Sequence, residues 1–193
     1  MSDPRSALDG ARFQGVVTVE EVGLRGMITL RGDPSSDALA RALQTGVGLE
    51  VPAMRGIALD GERGVAWMAP DELLVMVPLA EAGAALRALE QGLAGEFATV
   101  ADVSHARAVF TVTGRHWRDV LAKLCPVDFA PGAFLPGEIR RTRAAQVAVA
   151  IWMSGEDEVT LVCFRSVAQY MFDLLSTAAR PGGNVGLYRS PTT

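Results

Sequence analysis

The chain has 193 residues, about half of them apolar and a fifth charged. That is enough to bury roughly 70% of the surface the unfolded chain exposes and to build a core without metal or disulfide staples. The net charge of −4, with lysine and arginine scattered, leaves no basic stripe for phosphates, which argues against nucleic acid as a partner. No apolar N-terminal segment resembles a secretory signal and no run reaches the length of a membrane-spanning helix, so a cytoplasmic protein that makes no use of a membrane is expected.

Residues 1–12 show no period and are expected to form a loose tail. Val16 to Val22 and Met27 to Arg31 read as strands around Gly23 to Gly26, which suggests a hairpin or a bend. Asp33-Pro34 reads as a helix start, with Asp33 as N-cap, Ala38, Leu39, Ala42 and Leu43 as the buried stripe and Gly46 as terminator. The stretch 46–63 reads as a connection with at most one short strand around Ile57 to Leu59. Val65 to Met68 and Glu72 to Val77 flank Ala69-Pro70-Asp71 and predict a hairpin. A helix over 80–94 buries Ala82, Ala85, Leu86, Leu89 and Leu93, and Phe97 to Val103 returns as a strand.

The stretch 100–142 is the most ordered in its signals. Apolar residues at Ala108, Phe110 and Val112 have the period of a strand, and Trp117, Val120, Leu121 and Leu124 then fall on one face of a helix that Pro126 cannot continue. Three further strands are predicted, at 138–142, 146–153 and 158–164. Ser166 with Gln169 forms a capping-box pattern ahead of a last helix that buries Val167, Tyr170, Met171, Leu174, Leu175 and Ala178 and stops at Pro181-Gly182-Gly183. Residues 189–193 are expected to be a second loose tail.

The order of elements repeats. Met27-Ile-Thr29-Leu-Arg-Gly32 with the helix after it matches Val109-Phe-Thr111-Val-Thr-Gly114 with its helix, at an offset of 111 − 29 = 82. Asp71-Glu-Leu-Leu-Val-Met matches Asp157-Glu-Val-Thr-Leu-Val at 157 − 71 = 86. This predicts an α+β fold of duplicated split β-α-β units, 13–104 and 105–188, each a strand-helix-strand-strand-helix with mainly antiparallel sheet and helices on one face, the two forming one compact unit.

Catalytic apparatus is sparse. Cys125 and Cys163 are not in a Cys-x-x-Cys spacing and read as small buried hydrophobes. The two histidines, His105 and His116, lack the spacing of a metal site. No glycine-rich phosphate loop opens a helix after a strand. Ser104-His105 puts a hydroxyl beside an imidazole, but adjacent turn residues point apart and a local turn hydrogen bond is the expected role. Asp102 and Arg107 would clamp their turn as an ion pair, or bind a carboxylate. Arg140, Arg141 and Arg143 alternate across a strand and cannot all grip one anion; they read as a solvated face or as contacts for a partner's acidic rim. Trp117 belongs to the core stripe, while Trp67 and Trp152 are core residues or interface anchors.

Taken in order, several motifs carry a resemblance. They are Asp102-x-Ser104-x-x-Arg107, the strand ending in Gly114, Cys125-Pro126-x-Asp128-Phe129, and Phe134-x-Pro136-Gly137-x-x-x-x-Thr142. Gly48-Leu-Glu-Val-Pro52, Ala66-Trp67-Met-Ala-Pro-Asp71-Glu-Leu-Leu74 and Phe164-Arg165-Ser166-Val-Ala-Gln-Tyr170 add to them. The ordered set, from about residue 15 to 180, resembles the gamma (small) subunit family of heterotetrameric sarcosine oxidase, which is similar in fold to the folate-binding T protein of the glycine cleavage system. The resemblance implies a non-catalytic subunit of a complex that demethylates sarcosine oxidatively to glycine and hydrogen peroxide, with the one-carbon unit passing to tetrahydrofolate. It further implies alpha, beta and delta subunits as partners, with FAD, FMN, NAD and tetrahydrofolate held by them and no cofactor in this chain.

By the same resemblance Trp67, Asp71, Asp102, Ser104, Arg107, Gly114, Pro126, Asp128, Gly137, Thr142, Arg165 and Ser166 are expected in structural or interface roles, with no catalytic, cofactor-binding or metal-binding residue. T proteins carry a Gly-Gly-x-x-Asp-Asp type segment whose carboxylate serves their chemistry. Here Arg141 to Ile151 holds no carboxylate, which speaks against a free-standing folate-dependent aminomethyltransferase. The same residues are compatible with the small subunit of a related N-methyl amino acid dehydrogenase and with a self-associating protein that has no enzymatic role.

Overall fold

Period-two apolar runs become strands and period-3.6 runs become helices over most of the chain, as the spacing predicts. The computed structural model describes residues 5–183 and 185–188; residues 1–4 and the expected tail 189–193 lie outside the described residues. In chain order the elements are β1 (Arg12–Gln14), β2 (Thr18–Glu21), β3 (Gly26–Arg31), α1 (Asp37–Gly46), β4 (Ile57–Asp60), β5 (Arg63–Ala69), β6 (Glu72–Val77), α2 (Ala82–Gly92), β7 (Thr99–Asp102), β8 (Arg107–Thr113), α3 (Trp117–Ala122), β9 (Ile139–Ala144), β10 (Val147–Gly155), β11 (Glu158–Phe164) and α4 (Ala168–Ala178). Single 3-10 turns, Leu79–Glu81 and Arg165–Val167, lead into α2 and α4.

The chain forms two units, one of Leu24–Ser104 and one of the residues up to Gly23 together with those from His105 on. This differs from the expected division into 13–104 and 105–188, and the reason is strand pairing. β2 does not fold back on β3 as a hairpin; it pairs with β8, whereas β3 pairs with β6 and β7. The chain therefore leaves the first sheet after β2, at Gly23, instead of reversing within it.

In the unit of Leu24–Ser104 the sheet order is β4-β5-β6-β3-β7, every neighbouring pair antiparallel. Ile28, Leu30, Val65, Leu73, Val75 and Val77 alternate onto one face and bury against Leu39, Ala42 and Leu43 of α1 and Ala82, Ala85 and Leu89 of α2. Asp33 is not the N-cap of α1: its carboxylate accepts from the N–H (2.9 Å) and Oγ (2.7 Å) of Ser35, closing an Asx turn, and those bonds lower its pKa. Ser36 caps instead, its Oγ accepting from the N–H groups of Ala38 and Leu39. Gly46 is the last helical residue, and the left-handed position that ends the helix is Gly48, at φ +81°.

In the other unit the order is β1-β2-β8-β11-β10-β9, again antiparallel throughout. Phe110 and Val112 of β8, Ile151 and Met153 of β10 and Val159 and Leu161 of β11 bury with Trp117, Val120 and Leu121 of α3 and Met171 and Leu175 of α4. The expected loose tail is corrected over its described part. Ser6 Oγ (2.8 Å) and the Gly10 N–H (2.9 Å) both donate to the buried carboxylate of Glu21, and Ala7 and Leu8 pack against the core. The capping box is absent: Ser166 lies inside the 3-10 turn, and Gln169 bonds Asp173 at 3.0 Å. On α4, Tyr170 is exposed and not part of the buried stripe.

The strand registers reproduce the duplication residue by residue. Thr29 stands opposite Leu74 in one sheet and Thr111 opposite Thr160 in the other, so the first strand shifts by 111 − 29 = 82 and the second by 160 − 74 = 86. Val65 opposite Val75 recurs as Ile151 opposite Leu161, both at 86. Three strands separate the two helices of each repeat, one more than the strand-strand of the expected repeat unit: in the first repeat the short strand expected around Ile57 to Leu59 is β4, a hairpin partner of β5, and in the second the three strands expected before the last helix are β9, β10 and β11.

Candidate functional site

The twelve motif residues do not converge on one cavity; they are spread over turns and strands, and several of them make local turn contacts. At the end of β7, Asp102 Oδ1 accepts from the Ser104 N–H (2.8 Å) and Oγ (2.5 Å), and Ser104 Oγ accepts from the N–H of Met27 at 2.9 Å. Ser104 is buried, so its hydroxyl takes over where the β3–β7 ladder ends. Both sides of the hydroxyl are thereby consumed, and His105 is exposed to solvent, which leaves no serine–histidine pair for nucleophilic chemistry. Replacing Ser104 by alanine orphans the Met27 N–H and is expected to cost about 1–3 kcal/mol in urea unfolding. His105→Ala should stay within about 0.5 kcal/mol of the parent.

The densest motif cluster is the loop between α3 and β9. The rings of Trp117, Phe129 and Phe134 meet edge-on in a triangle, with centroids 5.6, 5.9 and 6.2 Å apart, and all three are fully buried. Arg118 lies over Trp117 at 4.3 Å and donates to the carbonyls of Phe129 (2.6 Å) and Phe134 (3.5 Å). Burial lowers the pKa of this guanidinium, with Tyr188 acting in the opposite sense; it stays protonated. Arg140 covers Phe134 from another side at 5.2 Å and bonds Glu138 at 2.9 Å. Pro126 follows α3, Asp128 accepts the Ala130 N–H at 2.9 Å as an Asx turn, and Gly137 supplies φ +81° in the turn that Leu135 and Glu138 close.

The remaining motif residues sit apart from these. Gly114, at φ +130°, donates to the Asp157 carbonyl at 2.7 Å and accepts the Trp117 N–H at 2.9 Å, joining the end of β8 to the start of α3. Thr142 stands opposite Val149 in the β9–β10 pair. The Arg107 guanidinium lies 4.5 Å over the Phe164 ring, and Arg165 reaches the Ser6 carbonyl at 2.9 Å; Ser166 is exposed. Trp67 is half-buried against the α1–α2 side of its sheet, and Trp152 is buried.

Asp71 pairs with Arg31 at 3.6 Å, and Glu72 pairs with the same guanidinium at 2.7 Å. Asp71 also lines an open cleft of about 700 Å³ that Asp33, Ser36, Glu96 and Phe97 help to form. The cleft has carboxylates and one engaged guanidinium but no nucleophile poised beside a base.

Two buried acids escaped the sequence reading. Glu21 anchors the N-terminal turn, and Asp119 accepts the Tyr188 N–H at 3.1 Å and lies 3.9 Å from His116 Nδ1. Their signal in the sequence is slight: a carboxylate inside an apolar-periodic stretch.

Burial pushes both the Cys125 and the Cys163 thiol up to about 12. Neither forms thiolate at neutral or mildly alkaline pH, so a disulfide reagent at pH 8 should label neither in the folded protein and both after denaturation. Among the described residues no group of three or more His, Cys, Asp or Glu is placed to hold a metal ion. None of the described helices is long and apolar enough to cross a membrane. The β9–β10 hairpin presents Arg141 and Arg143 as exposed residues and buries Ala144, Val149 and Ile151. The hairpin holds no carboxylate between Arg141 and Ile151, and the neighbouring Glu138 accepts from Arg140 and the Leu135 N–H.

The sequence profile of the family described as "Sarcosine oxidase, gamma subunit family" matches residues 31–180. The sarcosine oxidase subunit gamma of Corynebacterium sp. (strain U-96) is 35% identical over 156 residues, covering 78% of this chain and 74% of that protein. The same subunit of Arthrobacter sp. is 34% identical over 145 residues, covering 74% and 70%. In structure, a chain of the heterotetrameric sarcosine oxidase of Corynebacterium sp. U-96 superposes with a TM-score of 0.79 over 87% of both chains at 30% identity. The glycine cleavage aminomethyltransferase T of Bartonella henselae shares the fold, with a TM-score of 0.60 at 16% identity over 81% of this chain and 44% of that one. The chain belongs to the sarcosine oxidase gamma subunit family.

Proposed function

We propose that this chain is the gamma subunit of a heterotetrameric sarcosine oxidase-like complex and that its work there is structural: it folds into a duplicated scaffold on which other subunits assemble. The observation that carries the proposal is the superposition on a heterotetrameric sarcosine oxidase chain over 87% of both chains. The manner in which the motif residues are spent supports it. Asp102, Ser104, Gly114, Asp128 and Gly137 make turns, and the Trp117–Phe129–Phe134 triangle holds the longest loop. Polar groups engaged within their own turns are not available to bind or move a substrate's atoms.

On this reading the complex oxidatively demethylates sarcosine to glycine and hydrogen peroxide, and its one-carbon unit passes to tetrahydrofolate. FAD, FMN, NAD and tetrahydrofolate belong to the alpha, beta and delta subunits, and the complex works in the cytoplasm. The test is omission and reconstitution. Co-expression of the other subunits without this chain should yield little assembled oxidase, and adding the chain should restore it. The purified chain alone should neither oxidise sarcosine nor bind folate. Folate binding by the isolated chain, or full assembly in its absence, contradicts the proposal.

A further inference from the structure

The two sheets differ by one strand, and the difference falls at equivalent places. β2 lies beside β8 as β7 lies beside β3: Thr18 opposite Thr113 and Glu21 opposite Phe110 correspond to Thr99 opposite Arg31 and Asp102 opposite Ile28. The offset along the outer strand is constant, 99 − 18 = 81 and 102 − 21 = 81. The Val22 N–H donates to the Val109 carbonyl as the Val103 N–H donates to that of Met27. Because main-chain groups alternate sides along a strand, those of Val19 and Glu21 point away from β8, and those of Val100 and Asp102 point away from β3.

In the unit that holds β2 those outward groups are taken. The Glu21 N–H donates to the Ala11 carbonyl at 2.9 Å, and β1 lies antiparallel along β2 with Phe13 opposite Val19. In the unit of Leu24–Ser104 no described strand lies beyond β7, and Thr99, Ala101 and Asp102 are exposed. Its shortness aside, the edge lacks the usual protections: β7 has no proline, lysine or bulge, and the Asp102 carboxylate is turned to Ser104. At its N-terminal end the Phe97 ring is fully exposed at the lip of the cleft. There Asp33, Asp71 and Glu96 face a single guanidinium, Arg31, already held by Asp71 and Glu72.

We propose that the outer edge of β7 receives, as an antiparallel sixth strand, an extended segment of a partner subunit. That segment sets an apolar side chain against Phe97 and a basic side chain in the acidic cleft. The inference rests on the subunit reading above and adds to it the docking element and the chemistry of its occupant. The occupant need not be long, since β1 fills the equivalent edge with three ladder residues. Antiparallel pairing puts the C-terminal end of the incoming segment beside Thr99, so the basic residue follows its strand. Main-chain bonds to Val100 and Asp102 hold it, and the cleft selects its charge.

The test compares hydrogen exchange of the full chain alone and in the co-expressed complex. The Val100 and Asp102 amides should slow by at least about tenfold on assembly. Val100→Pro deletes an outward N–H without touching the ladder to β3, a change that edge strands tolerate. It should weaken capture of the other subunits by about tenfold or more while leaving the melting temperature of the isolated chain within about 4 °C. If the variant does not fold, exchange in the parent chain decides. A complex that forms with neither amide slowed overturns the inference. Slowing that follows this chain's own concentration also overturns it, since the occupant is then a second copy. A chain that joins no complex removes the subunit reading, and this inference with it.

Discussion

Replacing Trp117 by alanine is expected to remove about 3–5 kcal/mol of unfolding free energy, a large share of the 5–15 kcal/mol typical of a domain. The indole is buried and meets Phe129 and Phe134 at 5.9 and 6.2 Å; its Nε1 donates to the Glu156 carbonyl at 3.3 Å, and Arg118 stacks on its face at 4.3 Å. Truncation leaves a cavity between a helix and a loop, unpairs one donor, and frees Arg118 from the ring that orients it toward the two phenylalanine carbonyls. Urea unfolding followed by circular dichroism measures the loss. A loss below about 1 kcal/mol would mean that the loop between α3 and β9 is held by something other than this triangle.

Gly15→Ala is the second large effect, and its cause is space. A Cβ at residue 15 would lie 2.0 Å from the Ala179 carbonyl oxygen and 2.8 Å from its carbon. That same oxygen accepts the Val16 N–H at 2.8 Å. Both obstructing atoms are backbone, so the reversal between β1 and β2 must move off the end of α4. The expected cost is about 3 kcal/mol, the upper end of ordinary overpacking. Gly83→Ala is the matching control: residue 83 is exposed within α2 and a Cβ there meets only the Arg87 guanidinium at 3.6 Å. Relief of glycine's backbone entropy should raise stability by about 0.5–1 kcal/mol. Melting temperatures that move in opposite directions confirm the distinction, and two shifts of the same sign contradict it.

Elements whose determinants are local were legible in the sequence. The β5–β6 hairpin turns at Pro70-Asp71, α3 stops before Pro126, and three consecutive strands follow the central loop as predicted. Offsets of 82 and 86 between the repeats are visible both in the residues and in the registers. What depends on distant partners was not legible. Nothing near β2 announces that it pairs with β8, some ninety residues later. Apolar alternation around Gly23 therefore looks like a hairpin although it marks a passage between units.

The caps failed for a different reason, competition between neighbours. Ser35 captures the Asp33 carboxylate and hands the cap of α1 to Ser36, and the 3-10 turn at Arg165–Val167 absorbs Ser166 before α4 begins. Asp102 and Ser104 were legible as a motif, but the Met27 N–H that explains Ser104 lies 77 residues away. Glu21 and Asp119 were missed because a buried acid is recognisable only once its donors, Ser6, Gly10 and Tyr188, are in place.

The central claim, that this chain acts as a structural subunit of a flavin-bearing oxidase, is tested most directly by native mass spectrometry of the material that co-purifies with a tagged copy from its own cells, with an absorption spectrum of the same eluate. The account predicts one copy of this chain with three different partner chains and a flavin spectrum that stays with the partners when this chain is dissociated. A chain that elutes alone and colourless under conditions that preserve complexes, or that retains flavin after its partners are removed, would contradict it.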